Sequence, residues 1–164
     1  MKPLSPVALF AFNTYSHYER LLNSAQCAVL LLVRLVWGGM FIQTGWGKWM
    51  DIPRVTGFFT DIGIPFPMFN SYMVATTELV GGILLVLGLF SRFITIPLLV
   101  SMIVAYITTE QEAIHAAATG DLDPFLTAAP FLFLFASLLI LVFGPGRISL
   151  DRFLLKKYGP AAKN

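Results

Sequence analysis

The sequence predicts an all-α integral membrane protein, a four-helix transmembrane bundle with both termini in the cytoplasm and short interfacial helices at its two ends. Of its 164 residues, 57% are hydrophobic and only 12% are charged, whereas a soluble domain carries about 25% charged residues. The apolar residues fall into four blocks that lack the strand alternation of a transmembrane barrel. Lysine and arginine are distributed unevenly between the segments that separate these blocks.

The four predicted spans are residues 27–46, 72–90, 93–108 and 125–143. A span needs about 20 residues, so the third is short, and it can continue into EQEAIHAAA as a helix that leaves the membrane. Only Ser91 and Arg92 separate the second span from the third, which predicts an antiparallel hairpin. Pro97 and Pro130 fall near the starts of the third and fourth spans, where proline disturbs a helix least.

The orientation follows from the basic residues. With an even number of spans both termini lie on one side, and the other side then carries only Lys48 and Arg54. Since cytoplasmic loops are enriched in lysine and arginine, the side of the termini is predicted to be cytoplasmic. Its basic residues are Lys2, Arg20, Arg92, Arg147, Arg152, Lys156, Lys157 and Lys163.

Three regions are predicted along the chain: an N-terminal interfacial segment (1–24), a four-helix transmembrane domain (25–144) and a basic C-terminal interfacial segment (145–164). In the last of these, Ser149 is placed to cap a short helix. Lys156 and Lys157 can then face anionic lipid headgroups. Binding to a partner is the alternative role of both end segments.

Two opposite charges, Arg34 and Glu78, lie inside apolar blocks. A charged group at mid-membrane costs roughly 2.5–3.5 kcal/mol, so each side chain must face the protein interior, a polar cavity or the other charge. A direct Arg34–Glu78 pair and a water-bridged one are both compatible with the spacing, and Lys48 can approach Glu78 from the outer rim. Such a group either holds helices in register or forms a site for a proton, a quinone headgroup or an anion.

On each of the first two predicted spans, helical spacing places small residues on the same helix face as the charge, and we call each such face a stripe. Because small residues let transmembrane helices approach closely, the two stripes are predicted to face each other. The packing glycines are Gly38, Gly45, Gly81, Gly82 and Gly88. The candidates for an intramembrane polar pocket are Arg34, Gln43, Lys48, Glu78 and Arg92.

Several chemistries are not expected from these residues. A single cysteine, Cys27, excludes an internal disulfide, and no metal site or glycine-rich nucleotide loop is present in the sequence. His17 and His115 fall on opposite sides of the predicted membrane, which argues against a bis-histidine haem. Glu112 and His115 form an E-x-x-H step, better explained as part of a solvated loop helix. A net charge of +2 gives no reason to expect nucleic acid as a partner.

Four segments occur in a characteristic order: RLVWGGMFIQTGWGK, FFTDIGIP, ELVGGILLVLGLFSR and FGPGRISLD. Together they cover about residues 30–152 and resemble the DoxX family of small bacterial and archaeal membrane proteins. The resemblance implies four transmembrane helices in a cytoplasmic membrane. It also places at recurring family positions Arg34, Lys48, Gly63, Pro65, Glu78, Gly81, Gly82, Gly88 and Arg92.

The resemblance also implies a role in redox metabolism, since some relatives are membrane subunits of thiosulfate:quinone oxidoreductases and others associate with soluble redox proteins. No residues here suit a tightly bound flavin or redox metal, so a quinone remains as the candidate cofactor. The expected protein is a subunit of a quinone-linked oxidoreductase, not a complete enzyme. Its expected partners are the lipid bilayer, a soluble or membrane redox protein and a second copy of the chain. A small-molecule or ion transporter and a non-catalytic anchor or assembly factor are the alternatives.

The segment FFTDIGIPFPMFN is apolar enough to return to the membrane edge. There it would cover a polar pocket, and a simple surface loop is the alternative.

Overall fold

The computed structural model describes residues 6–158, and this part of the chain is helical without strands. Three helices are long and apolar enough to cross a membrane: the part of α1 from Phe12 to Met50, α3 and α4. The all-helical prediction is therefore confirmed, whereas a fourth span stays a prediction. In order, the helices are α1 (Pro6–Met50), α2 (Ile52–Asp61), α3 (Pro67–Leu87), α4 (Ser91–Thr109), α5 (Gln111–Thr119), α6 (Asp123–Thr127), α7 (Ala129–Phe143) and α8 (Leu150–Tyr158).

The first helix is much longer than a single membrane span. It has 45 residues, or about 68 Å at 1.5 Å per residue, because neither glycine nor proline interrupts residues 7–37. The boundary predicted between residues 24 and 25 is therefore not a break in the helix. The placement of the N-terminal segment at the membrane interface stays a prediction, and residues 1–5 lie outside the described residues.

Glycines let α1 and α3 pack along each other with their backbones in close contact. A Cβ at Gly82 would lie 2.6 Å from the carbonyl oxygen of Gly38, and a Cβ at Gly45 would lie 2.8 Å from Cα of Leu79. These distances are shorter than a carbon atom allows. Gly38, Gly45 and Gly82 thus lie where α1 and α3 meet, and a side chain at any of them would force the helices apart.

The remaining helices build the core around this pair. α4 packs against α3 and α7, and α7 also contacts α1. Gly81 faces away from α1 and receives Leu98 of α4, whose side-chain atoms lie 3.0–3.1 Å from where a Cβ would be. The buried cluster consists of Val33, Phe41, Leu85, Leu98, Met102, Ala136 and Ile140.

A three-residue turn, 88–90, joins α3 to α4 as a hairpin. Gly88 has a φ of +68°, and the N–H of Leu89 donates to Leu84 O at 2.9 Å, which ends α3 in the pattern typical of a glycine-capped helix. Phe90 also has a positive φ, +47°, where a residue with a Cβ is disfavoured. The turn therefore needs support from other parts of the chain.

The fourth predicted block is divided into two helices. Its first residues lie in α6, and the extended backbone of Ala128 (ψ 138°) separates them from α7. α7 has 15 residues, or about 22 Å of helix. The predicted helix after the third block is present as α5, beginning anew after Glu110. The predicted cap of α8 is confirmed, because the N–H of Arg152 donates to Ser149 Oγ at 3.3 Å. Residues 159–164 lie outside the described part.

Candidate functional site

The only ion pair among residues 6–158 joins Lys48 to Glu78. Lys48 lies in the last turn of α1, and Glu78 lies near the middle of α3. The side chain of Glu78 is 3% exposed and that of Lys48 is 29% exposed. The carboxylate is therefore held inside the protein, and its partner is reachable from outside.

This pair lies on the wall of a cavity of about 570 Å³, within the usual range for ligand sites, about 300–1,000 Å³. We call it the Glu78 cavity. Apart from Lys48, Glu78 and a few hydroxyl and amide groups, its walls are apolar. Its lining residues include Phe41 and Thr44 of α1, Phe58 and Phe59 of α2, Asn70 and Met73 of α3, Ser101, Val104, Ala105 and Thr108 of α4, and Pro130 and Phe133 of α7.

The segment between α2 and α3 forms one wall of the Glu78 cavity. Residues 62–65 line it together with one side of α2. Two hydrogen bonds hold this wall in place: Thr56 Oγ1 donates to Ser71 Oγ at 3.2 Å, and Asn70 Nδ2 donates to Pro65 O at 2.6 Å. The segment was expected either to cover a polar pocket or to form a simple surface loop, and the structure supports the first of these roles.

Arg34 does not contact Glu78, and of the three environments left open for its charge the structure shows the protein interior. Arg34 is 1% exposed, and its guanidinium donates to four backbone carbonyls at 2.7–2.9 Å. Two acceptors are in the last turn of α3 and two are in the segment after α7: Leu85 O, Val86 O, Pro145 O and Ile148 O.

The physical reason for this difference is the end of α3. The last carbonyls of a helix have no partner within it and carry the negative end of the helix dipole, so they stabilise a buried arginine. The nearby carboxylate of Asp151 also interacts favourably with its charge. Gly88 makes room for it, because a Cβ at this position would overlap the guanidinium. The position of Gly88 is thus explained by the arginine as well as by the turn.

A second group of contacts surrounds this end of the bundle. Asp151 accepts from the N–H of Phe90 at 2.8 Å and from that of Ser91 at 3.2 Å, and its own N–H donates to Gly88 O at 3.0 Å. The carboxylate thereby caps the start of α4 and holds the strained Phe90. Together with Arg34, it fastens the segment after α7 to the turn between α3 and α4.

The remaining pocket candidates are not brought together with Glu78. Gln43 is exposed on α1 and does not line the Glu78 cavity, whereas its neighbour Thr44 does. Arg92 lies at the other end of the bundle, where Nη2 donates to Val142 O at 3.1 Å. Of the five candidates, only Lys48 and Glu78 share a cavity.

Sequence reasoning missed most of the cavity walls. On α4, Ser101 and Thr108 are seven residues apart, which places them on one helix face. This spacing could have indicated that α4 contributes a polar wall. The amphipathic pattern of α2, with Phe59 buried, was the signal for another. Nothing in the sequence indicated that Asp151 would contact Phe90.

The family model of DoxX proteins matches residues 29–111 of this chain. These residues contain α2, α3, α4, Arg34 and the Lys48–Glu78 pair. The chain belongs to the DoxX family. The resemblance to that family is thereby confirmed, although only the first three of the four segments lie within the match, and this DoxX protein is a membrane protein.

Individual relatives agree with this assignment. An uncharacterised membrane protein of Mycobacterium tuberculosis is 32% identical over 85% of this chain and 90% of its own length. The Bacillus subtilis protein named "Putative oxidoreductase CatD" is 31% identical over 77% of this chain and 87% of its own. The inner membrane protein YphA of Escherichia coli is 30% identical over 85% of this chain and 99% of its own. No solved structure matches the chain.

Proposed function

We propose that this DoxX protein is a membrane subunit of a redox-linked complex and that its Glu78 cavity receives the headgroup of a quinone. The observation that carries the proposal is the composition of the cavity: about 570 Å³ of mostly apolar space with one ion pair in its wall. A quinone has a flat apolar ring with two carbonyl oxygens. It suits apolar walls with a single hydrogen-bond donor.

The opening of the cavity also supports a lipophilic ligand. Met73, Val100 and Val104 line the cavity, and all three are exposed on the outer faces of α3 and α4. Since both helices are long and apolar enough to span a membrane, these residues lie where lipid would contact the protein. A ligand with an isoprenoid tail can then enter sideways from the bilayer and leave its tail between the lipid chains.

The ion pair gives the site its chemistry. The Lys48 ammonium has three donors and is partly exposed, so it can donate to a quinone carbonyl while it remains paired with Glu78. Reduction of a quinone to a quinol takes up two electrons and two protons. In this proposal, the Lys48 ammonium gives one proton to the carbonyl oxygen that it contacts and regains a proton from water through Glu78. The other carbonyl oxygen takes its proton from water, and a redox partner protein supplies the two electrons. The oxidoreductase name of the Bacillus subtilis relative is consistent with such a complex.

The proposed setting is the cytoplasmic membrane, crossed four times, with both termini in the cytoplasm. The distribution of lysine and arginine favours this orientation, and the inner-membrane name of the Escherichia coli relative favours the location. α6 and α7 together provide the fourth crossing. Lys48, Glu78 and the cavity then lie towards the outer side of the bilayer.

The test is mass spectrometry of the lipophilic molecules and proteins that co-purify with gently solubilised protein. The variant is Glu78→Gln, and the matched control is Glu112→Gln, which removes the same charge from an exposed position on α5. We expect a quinone with the native protein and with Glu112→Gln, and its loss from Glu78→Gln.

Two other results would contradict the proposal. A partner protein retained by all three forms, with no small molecule in any of them, would indicate a membrane anchor or assembly factor. A quinone that stays equally bound to Glu78→Gln would place its site away from the Glu78 cavity.

A further inference from the structure

A second cavity lies at the opposite end of the bundle. Its volume is about 710 Å³, and this open cavity is lined by α1, the start of α4, the segment 143–149 and α8. Leu30 of α1 lines it, and Leu30 is 18 residues before Lys48, or about 27 Å along the helix. The two cavities are therefore separate sites.

Three arginines from three different segments line this second cavity, which we call the arginine cavity: Arg92 at the start of α4, Arg147 before α8 and Arg152 within it. Nη2 of Arg92 donates to Val142 O. The side chains of Arg147 and Arg152 form neither an ion pair nor a hydrogen bond with another residue of the described part. Two guanidinium groups thus have their donors available on one concave surface.

The single carboxylate in the arginine cavity offsets only one of the three cations. Asp151 also lines it, but its two oxygens accept from the backbone N–H groups of Phe90 and Ser91. With three arginines and one engaged carboxylate, the cavity has a net charge of about +2 and attracts an anion. Arginine binds phosphate oxygens in a bidentate manner, which favours a phosphate group over a halide.

Large apolar side chains stand beside the arginines. Phe90, Phe93, Phe143 and Leu155 line the same cavity, and all four are exposed. Phe93 and Phe143 lie at the ends of α4 and α7, where apolar helix surface meets the basic loops. A soluble anion would leave this apolar surface in contact with water, whereas the acyl chains of a lipid would cover it.

We propose that the arginine cavity binds the phosphate headgroup of an anionic glycerophospholipid, with its acyl chains along Phe93 and Phe143. Arg147 and Arg152 contact the phosphate, and Arg92 adds charge from the side of α4. The bound headgroup contacts the segment after α7. This segment accepts hydrogen bonds from Arg34, and Asp151 next to it caps the start of α4. Lipid binding therefore stabilises the end of the bundle at which the turn 88–90 meets the segment after α7.

The experiment compares two double variants that lose the same charge. Arg147→Gln with Arg152→Gln removes two cations of the arginine cavity, and Lys156→Gln with Lys157→Gln removes two exposed cations of α8 that do not line it. Ser149 caps α8 by accepting from the backbone N–H of residue 152, so Arg152→Gln keeps that bond. Thermal unfolding is measured in nanodiscs of phosphatidylcholine with and without added phosphatidylglycerol, and native mass spectrometry of the protein released from them counts retained lipids.

We expect phosphatidylglycerol to raise the unfolding midpoint of the wild-type protein and of the lysine double variant, with one anionic lipid retained by each. The arginine double variant should unfold like the wild-type protein in phosphatidylcholine alone and gain nothing from phosphatidylglycerol. Should this variant not fold, Arg147→Gln alone is expected to weaken lipid retention at least tenfold.

Three results would overturn the proposal. Equal loss of the lipid effect in both double variants would mean that α8 attracts anionic lipid only through its total charge. An equal rise of the midpoint with inorganic phosphate would assign the cavity to a soluble anion. Wild-type protein that retains no anionic lipid and gains no stability from it would leave the cavity without this ligand.

Discussion

Lys48 at the end of α1 pairs with Glu78 in the middle of α3, although Arg34 lies on the same stripe of α1 and carries the same charge. The arginine instead binds the carbonyl end of α3 and the segment after α7. One helix pair thus carries two polar centres with different environments. The pair at Lys48 faces a cavity, and Arg34 is enclosed by backbone oxygens.

The first prediction concerns the energetic coupling between Lys48 and Glu78. Breaking a buried ion pair costs about 3–5 kcal/mol, and an exposed pair contributes about 0–1 kcal/mol. Because Lys48 is 29% exposed, we expect a coupling free energy of about 1–3 kcal/mol between these limits. The measurement is a double-mutant cycle with Lys48→Met and Glu78→Gln, followed by unfolding in detergent. Additive effects of the two substitutions would show that the pair does not contribute to stability.

The second prediction is that Arg34 stabilises the fold and takes no direct part in ligand binding at the Glu78 cavity. Arg34→Lys keeps the charge but not the planar group that reaches four carbonyls at once. Hydrogen bonds to charged groups contribute about 1.5–3 kcal/mol each, so we expect this variant to lose more than about 3 kcal/mol of stability or to fail to accumulate. The measurement is the yield of folded protein and its unfolding midpoint, beside Glu78→Gln. An Arg34→Lys protein that is fully stable but has lost its ligand would instead indicate a direct role in binding.

Much of the helical architecture follows from the sequence alone, since apolar blocks, prolines and turn glycines act locally. The length of α1 was the main exception in the helices. The sequence predicts an interfacial segment that ends at residue 24, yet no glycine or proline lies near this position to break the helix. The composition of α1 changes from polar to apolar near residue 25, but the backbone is helical on both sides of this change.

The partner of Arg34 could not be predicted in this way. The spacing along the chain is compatible with a contact between Arg34 and Glu78, but all four acceptors of Arg34 are backbone atoms, which have no signature in the sequence. Two of them belong to residues more than 100 positions away, Pro145 and Ile148. The cavity walls likewise come from five helices, and their meeting depends on how those helices pack.

The third prediction tests the close contact of α1 and α3. A methyl group at Gly82 would lie 2.6 Å from Gly38 O, and over-packing typically costs about 1–3 kcal/mol, so Gly82→Ala should destabilise the protein by about this amount. Gly47→Ala is the matched control, because a Cβ there meets nothing within 4 Å. The free energy of unfolding in detergent measures both. Equal stability of the two variants would contradict the described packing of this helix pair.

The fourth prediction concerns the cap of α4. Asp151→Ala removes the acceptor of two backbone N–H groups and leaves the left-handed Phe90 without support. Loss of a helix N-cap costs about 0.5–2 kcal/mol, and we expect a value at the upper end. Hydrogen exchange should show faster opening of residues 88–92, while the exchange of α2 stays unchanged. A uniform increase over the whole chain would indicate that Asp151 acts on global stability and not on this turn.

The last prediction tests whether the Glu78 cavity is a ligand site without altering its ion pair. Ala105 lines the cavity on α4, and Ile103 lies on the exposed side of the same helix. Ala105→Phe should fill part of the space, whereas Ile103→Phe adds an aromatic ring outside it. A ligand that binds only the folded protein stabilises it by about 2.7 kcal/mol at 100 times its dissociation constant. Added short-chain quinone should therefore raise the unfolding midpoint of the wild-type protein and of Ile103→Phe, but not that of Ala105→Phe. If quinone stabilises all three proteins to the same extent, it binds elsewhere, and the polar pair in the cavity then serves to hold α1 and α3 together.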